Sequence, residues 1–199
     1  MFIEVTLYDG FDELDGIAPY EVFRTAEVLG APIRAELVGA HGAGTIAASH
    51  GTRVTVDRGP SSAADMVLVP GGGWNTRSDV GAWGEVQNGT FPARLAEIHA
   101  EGTTVASVCT GAMLLAAAGI TNGRPATTHH SAIEDLRESG ARIVDARVVD
   151  DGDVITAGGV TSGIDLALLV VERHAGRALA DAVAHEIEYE RRSAPAEAR

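Results

Sequence analysis

The run Met66-Val67-Leu68-Val69 passes without a polar residue into Pro70-Gly71-Gly72-Gly73. No other feature constrains the fold as much. Four consecutive apolar residues suit a strand covered on both faces, as strands of parallel sheets are. Proline then withholds a ladder donor, and the glycines let the chain turn sharply. The pattern recurs at Thr104–Val108, which runs into Cys109-Thr110-Gly111. An apolar helix follows over Ala112–Ala118, closed by Gly119. A buried strand and a glycine-containing turn, twice over, the second followed directly by an apolar helix, predict β-α-β units.

The remaining segments extend that alternation. Phe2–Tyr8 and Ile33–Gly39 read as strands, and Arg53–Asp57 as a short alternating one at a solvated edge. Leu14–Leu29 has helical periodicity through Leu14, Ile17, Val22, Phe23 and Val28. Pro19 lies inside that run, so the helix is expected to start at or near it, after a non-helical Asp15-Gly16. Val80–Gly102 reads as two helical pieces broken at Gly89 and Pro92, and Ser131–Ser139 as an amphipathic helix with Ser131 as N-cap and Gly140 at C′. Asp150-Asp151-Gly152-Asp153 between β-branched runs predicts a small β-hairpin. Helices over Thr161–Ala175 and Arg177–Glu190 complete the order. The expected fold is α/β: a three-layer sandwich around a mostly parallel sheet, flavodoxin-like, as a single domain over 1–192 with a frayed tail at 193–199.

Composition removes several classes of function. The net charge is −13, and the 15 basic residues are all arginine. That balance argues against a nucleic-acid partner, which needs clustered cations. One cysteine excludes an internal disulfide and a cysteine-rich zinc site. No apolar run reaches the ~18–20 residues of a membrane helix. The amino terminus reads as a strand rather than a leader, so a cytoplasmic protein with no membrane partner is expected.

Sites in open α/β sheets form beyond the carboxyl ends of the strands. Cys109 is the sharpest candidate there. Its flanks fit a strand-to-helix elbow, whose N–H groups and helix dipole are expected to favour a thiolate and lower the thiol pKa. Against this stands a small buried hydrophobe, the commoner fate of a lone cysteine. Asp15, amid small and apolar neighbours, is expected to be buried with a raised pKa suited to proton donation; a plain helix cap or first-turn aspartate is the alternative. Gly71-Gly72-Gly73 offers backbone N–H groups to developing charge, or is merely a tight loop, and Gly158-Gly159 carries the same ambiguity. His129-His130 forms a pair whose consecutive side chains are expected to point apart, with no third ligand at suitable spacing, so no metal site is expected. A Cys-His dyad with one of them stays open.

Taken in order, five stretches resemble the ThiJ/PfpI superfamily of class I glutamine amidotransferase-like proteins, and within it the isonitrile hydratase branch. They are Phe11–Val22, Val69–Gly72, Ser107–Gly111, Ala126–His129 and Gly158–Asp165. The resemblance implies a cysteine nucleophile at Cys109 and an acidic partner at Asp15. Gly72 and Thr110 fall where backbone groups hold developing charge or orient water, with Gly71, His129 and Trp74 lining the pocket. The resemblance further implies a homodimer, no cofactor, and a small-molecule substrate. Hydration of an isocyanide to an N-substituted formamide is the first expectation. A glyoxalase or deglycase acting on 2-oxoaldehydes, or a redox-sensing stress protein, are the alternatives.

Overall fold

A computed structural model describes residues 1–191 and the backbone of Ala196–Glu197. In chain order the elements are β1 (Phe2–Leu7), α1 (Glu13–Val28), β2 (Arg34–Gly39), β3 (Gly44–Ala47), β4 (Arg53–Val56) and β5 (Met66–Val69). Next come α2 (Ala82–Asn88), α3 (Thr90–Ala100), β6 (Thr104–Val108), α4 (Ala112–Ala117), β7 (Pro125–Ala126) and α5 (Ile133–Glu138). The last are β8 (Arg142–Ile143), β9 (Val148–Asp150), β10 (Val154–Ala157), α6 (Ser162–Ala175), α7 (Arg177–Glu186) and β11 (Ala196–Glu197).

Seven strands form the main sheet in the order β11-β9-β10-β6-β5-β1-β2. Every pairing is parallel except β9 with β10, the hairpin expected around Asp151-Gly152. β5 and β6 lie side by side at its centre, with every residue of β5 buried. Helices α1, α6 and α7 pack together, and α4 packs with α2, α3 and α5. The two groups cover the sheet as the outer layers of an α/β sandwich. The expected tail at 193–199 lies outside the described residues apart from Ala196–Glu197, whose backbone pairs in parallel with Val149–Asp150.

Four local expectations need correction. α1 does not wait for Pro19. It begins at Glu13, because Asp12 caps it by accepting from the Leu14 N–H (3.1 Å). Pro19 is buried inside the helix against α6, where a Cβ on Gly163 would meet its ring at 2.9 Å. That contact with a side-chain-free position offsets the hydrogen bond the proline withholds. Pro92 breaks nothing, since it falls in the first turn of α3, where a missing N–H has no intrahelical partner to lose. Ser131 lies inside a 3₁₀ turn, His130–Ala132, rather than capping α5. Finally, β4 pairs with β3 in a separate antiparallel sheet, and β3 carried no strand signal of its own beyond Thr45-Ile46.

Candidate active site

Cys109 stands where buried β6 ends, and its φ is +58°, a region that non-glycine residues seldom occupy. Long-range bonds hold it there. Its N–H donates to the Gly158 carbonyl (2.9 Å), and its carbonyl accepts from Thr128 Oγ1 (2.8 Å). A conformation costing on the order of 1–3 kcal/mol therefore persists because β10 and the loop before α5 over-determine it.

Asp15 arrives from the first turn of α1 and is wholly buried. Its Oδ2 accepts from the Gly71 N–H (3.1 Å), and its carboxyl meets the Cys109 thiol. Among the described residues, Oδ1 has no N–H or O–H partner. Gly71 is required here. A Cβ would lie 2.5 Å from the Thr110 backbone nitrogen and hydroxyl, and 3.0 Å from Asp15 Oδ2. The next amide, Gly72, donates to Thr110 Oγ1 (2.9 Å). The glycine loop therefore aims its donors at Asp15 and Thr110, and the Gly72 N–H is not free to meet a substrate.

Burial foremost, and then the Asp12 charge, push the Asp15 carboxyl up to about 7, against the pull of the thiol and the Gly71 N–H. The raised acid matches expectation. The thiol does not. Burial first, and then the neighbouring Asp15 charge, push Cys109 well above the ordinary thiol value. The amides of Thr110 and Val160 favour the thiolate but are outweighed. At the elbow the cost of desolvating a charge beside a carboxylate exceeds what the local dipoles supply. The two groups titrate as a pair that ionises once near neutrality.

Val160 was missed by the sequence reading. Its amide faces the Cys109 sulfur, and it holds a φ of +43°, an outlier for a β-branched residue. The available signal was its place directly after Gly158-Gly159. His129 lines the pocket, with Nδ1 engaged by Ser131. Burial, then His130, lower its pKa, so the ring is neutral at pH 7. The two histidines do not point apart: their rings meet with centroids 4.1 Å apart and planes inclined by 38°. The strand rule of alternating sides fails because the chain turns into the 3₁₀ segment between them.

The cavity over the thiol has a volume of about 210 Å³ and is walled by Asp12, Gly72, Trp74, Thr110, His129 and Val160. A larger cleft of about 710 Å³ lies on the far side of His129 and Val160 and takes in Arg147. Cys109 itself lines the smaller cavity and not the larger one, where Arg147 is paired with Asp165 (2.7 Å). A nucleophile and backbone donors thus meet in one pocket with a buried proton carrier behind the thiol, the equipment for adding a thiol and a proton across a polarised multiple bond.

Residues 2–173 match the DJ-1/PfpI family. The chain belongs to that family. It is 43% identical over 90 residues to the isonitrile hydratase of Pseudomonas putida, a match covering 45% of this chain and 40% of that protein. It is 31% identical over 118 residues to a deglycase of Pyrococcus horikoshii, covering 57% of this chain and 67% of that one. The crystal structure of a ThiJ/PfpI family protein from Pseudomonas syringae superposes with a TM-score of 0.83 at 25% identity, over 96% of this chain and 76% of the other. The α/β fold is thereby that of the family, and relatives that carry it include enzymes.

Proposed function

We propose that this protein hydrates an isocyanide to an N-substituted formamide through a thioimidate on Cys109. The observation that carries the reading is the buried Asp15–Cys109 pair, in which a carboxyl titrating near neutrality touches the only thiol. The likeness to isonitrile hydratase favours this chemistry over other thiol additions.

With one proton between the two groups, the reactive arrangement is a thiolate beside a protonated Asp15. Sulfur attacks the terminal isocyanide carbon as Asp15 delivers its proton to that carbon. New C–S and C–H bonds form, and the carbon–nitrogen triple bond becomes the double bond of a thioimidate. Water, oriented by Asp15 and Thr110, then adds to the same carbon while one of its protons passes through Asp15 to nitrogen. Collapse makes the C=O bond and breaks C–S. The hydroxyl proton returns to Asp15, and the thiolate leaves toward the Thr110 and Val160 amides. Positioned proton transfers of this kind contribute ~10²–10⁴-fold each.

Proton NMR of the formyl signal during incubation with methyl isocyanide tests the reading. Wild type should accumulate N-methylformamide, and Cys109→Ala, which keeps the fold, should make none. Consumption of methylglyoxal with no formamide would move the protein to the deglycase class that its likeness to the Pyrococcus protein also supports. Turnover of neither compound, with ready formation of a sulfinic acid on Cys109 in peroxide, would move the protein to the redox-sensing class instead.

Assembly as a homodimer belongs to the same proposal. Of the apolar face expected on α1, Pro19 and Phe23 are spent on the core, whereas Ile17 and Tyr20 are half-buried and Leu14, beside Asp15, is 51% exposed. A two-fold contact there would cover the turn that carries the acid. Light scattering should give the mass of two chains, and a fully active particle of one chain's mass would sink the idea.

A further inference from the structure

Trp74 is one wall of the cavity over Cys109, and it is almost wholly buried. Its indole is held from three sides. The Nε1–H donates to Asp135 Oδ2 on α5 at 2.5 Å. Trp83 on α2 meets it edge-on, with ring centroids 5.1 Å apart. The Arg77 guanidinium lies 5.2 Å from its ring and 4.1 Å from that of Trp83. Arg77 also bonds both oxygens of Asp135, at 3.0 and 3.3 Å. One carboxylate outside the cavity therefore ties down both the indole and the cation stacked on it.

Two consequences follow from this arrangement. The only polar atom of the indole is already engaged, so toward the cavity Trp74 presents carbon alone. The wall also cannot swing aside while Asp135 holds both partners. The cavity volume of about 210 Å³ equals roughly seven liquid-water volumes, enough for a compact group beside the reacting carbon. Asp12 on the rim repels anions from the same space.

We propose that Asp135, with Arg77, is a positioning residue for specificity: it locks the Trp74 indole as an apolar wall that selects substrates with a compact, uncharged apolar substituent. This rests on the hydratase reading for the identity of the substrate, but the wall itself does not. The packing of one small alkyl group against an ordered aromatic face is worth about tenfold in selectivity.

The test compares wild type, Asp135→Ala and Asp135→Asn on methyl and tert-butyl isocyanide, alongside fluorescence titrations with N-methylformamide and N-tert-butylformamide. In Asp135→Ala, KM for the tert-butyl substrate should rise about tenfold, while kcat and the methyl substrate change by less than about twofold. Asp135→Asn should recover most of the loss, because its amide oxygen still accepts from the indole N–H. Binding of the two formamides should follow the same pattern. Equal losses on both substrates, or no loss, would overturn the proposal. If wild type hydrates neither isocyanide, the hydratase reading fails by itself, and the wall is judged on formamide binding. There, selective weakening of the tert-butyl compound supports it, and no selectivity in wild type overturns it. Should Asp135→Ala not fold, Arg77→Gln takes its place with about a threefold selective effect.

Discussion

Among the described residues two carboxylates are wholly buried, and they have opposite fates. Glu4, on β1, accepts from Arg58 (2.5 Å), from the Ser61 N–H (3.0 Å) and from Ser61 Oγ (2.8 Å). Arg58 also bonds Glu36, which makes the cluster a closed ion-pair network. Asp15 has only one backbone N–H and a thiol, and one of its oxygens is left without a partner. Burial alone therefore does not make a reactive acid. A buried carboxylate given a cation and a full set of donors is structural, whereas one denied them holds its proton to near-neutral pH. The site is the place in the fold where a charge is left under-solvated.

Replacing Asp15 by asparagine should separate these roles most clearly. Turnover should fall ~10²-fold or more, because an amide cannot carry the proton. Stability should move the other way. The folded-state value is raised to about 7 from the ordinary 3.8, so the native state holds the proton over that window while the unfolded chain releases it. Stability is thus full below about pH 4 and is lost as pH rises through 7, at a cost of roughly 4 kcal/mol. Urea unfolding at pH 4.5 and pH 8 should show wild type weakening with pH and Asp15→Asn holding steady. A variant with the same pH slope as wild type would mean that Asp15 is not the buried acid.

The opposite perturbation is Arg58→Leu, which strands Glu4 without its cation. Because Arg58 is about a third exposed, water will relieve part of the penalty, and a loss of about 2–3 kcal/mol is expected. Activity per folded molecule should persist. Loss of catalysis at unchanged stability would show that the two clusters communicate.

The smallest effect concerns the shape of the pH profile. The reaction needs the pair with one proton, so kcat/KM should rise through about pH 7 to a plateau, lost only when the raised thiol proton also leaves. The same inflection should appear in the rate of thiol alkylation and vanish in Asp15→Asn. A rate that falls through pH 7 would mean that the doubly protonated pair is the active form.

Much of this architecture was legible in the chain. The apolar runs that became β5 and β6, the turns that end them and the hairpin around Asp151-Gly152 are local patterns, in which burial on two faces is written as unbroken hydrophobicity. Cys109 could be named because it ends a buried apolar strand and Asp15 because small and apolar residues follow it, but only the resemblance at Phe11–Val22 and Ser107–Gly111 joined them as a pair. The start of α1 is not legible in the chain, because proline carries a strong local signal and the packing of Pro19 on Gly163 carries none.

What the sequence by itself determined is the alternation of the main-sheet strands with helices, the elbow at Cys109 and the presence of an acid early in the chain. These depend on residues within a turn or a strand of one another. Only the tertiary structure decided the electrostatics. Asp15 meets Gly71 across 56 residues, Trp74 meets Asp135 across 61, and the Val160 amide reaches Cys109 from a separate loop. Whether a thiol is raised or lowered, or a glycine amide is free or taken, depends on desolvation summed over every element packed around it. No window of the chain contains that sum, because the groups that set it become neighbours only when the sheet brings its strand ends together.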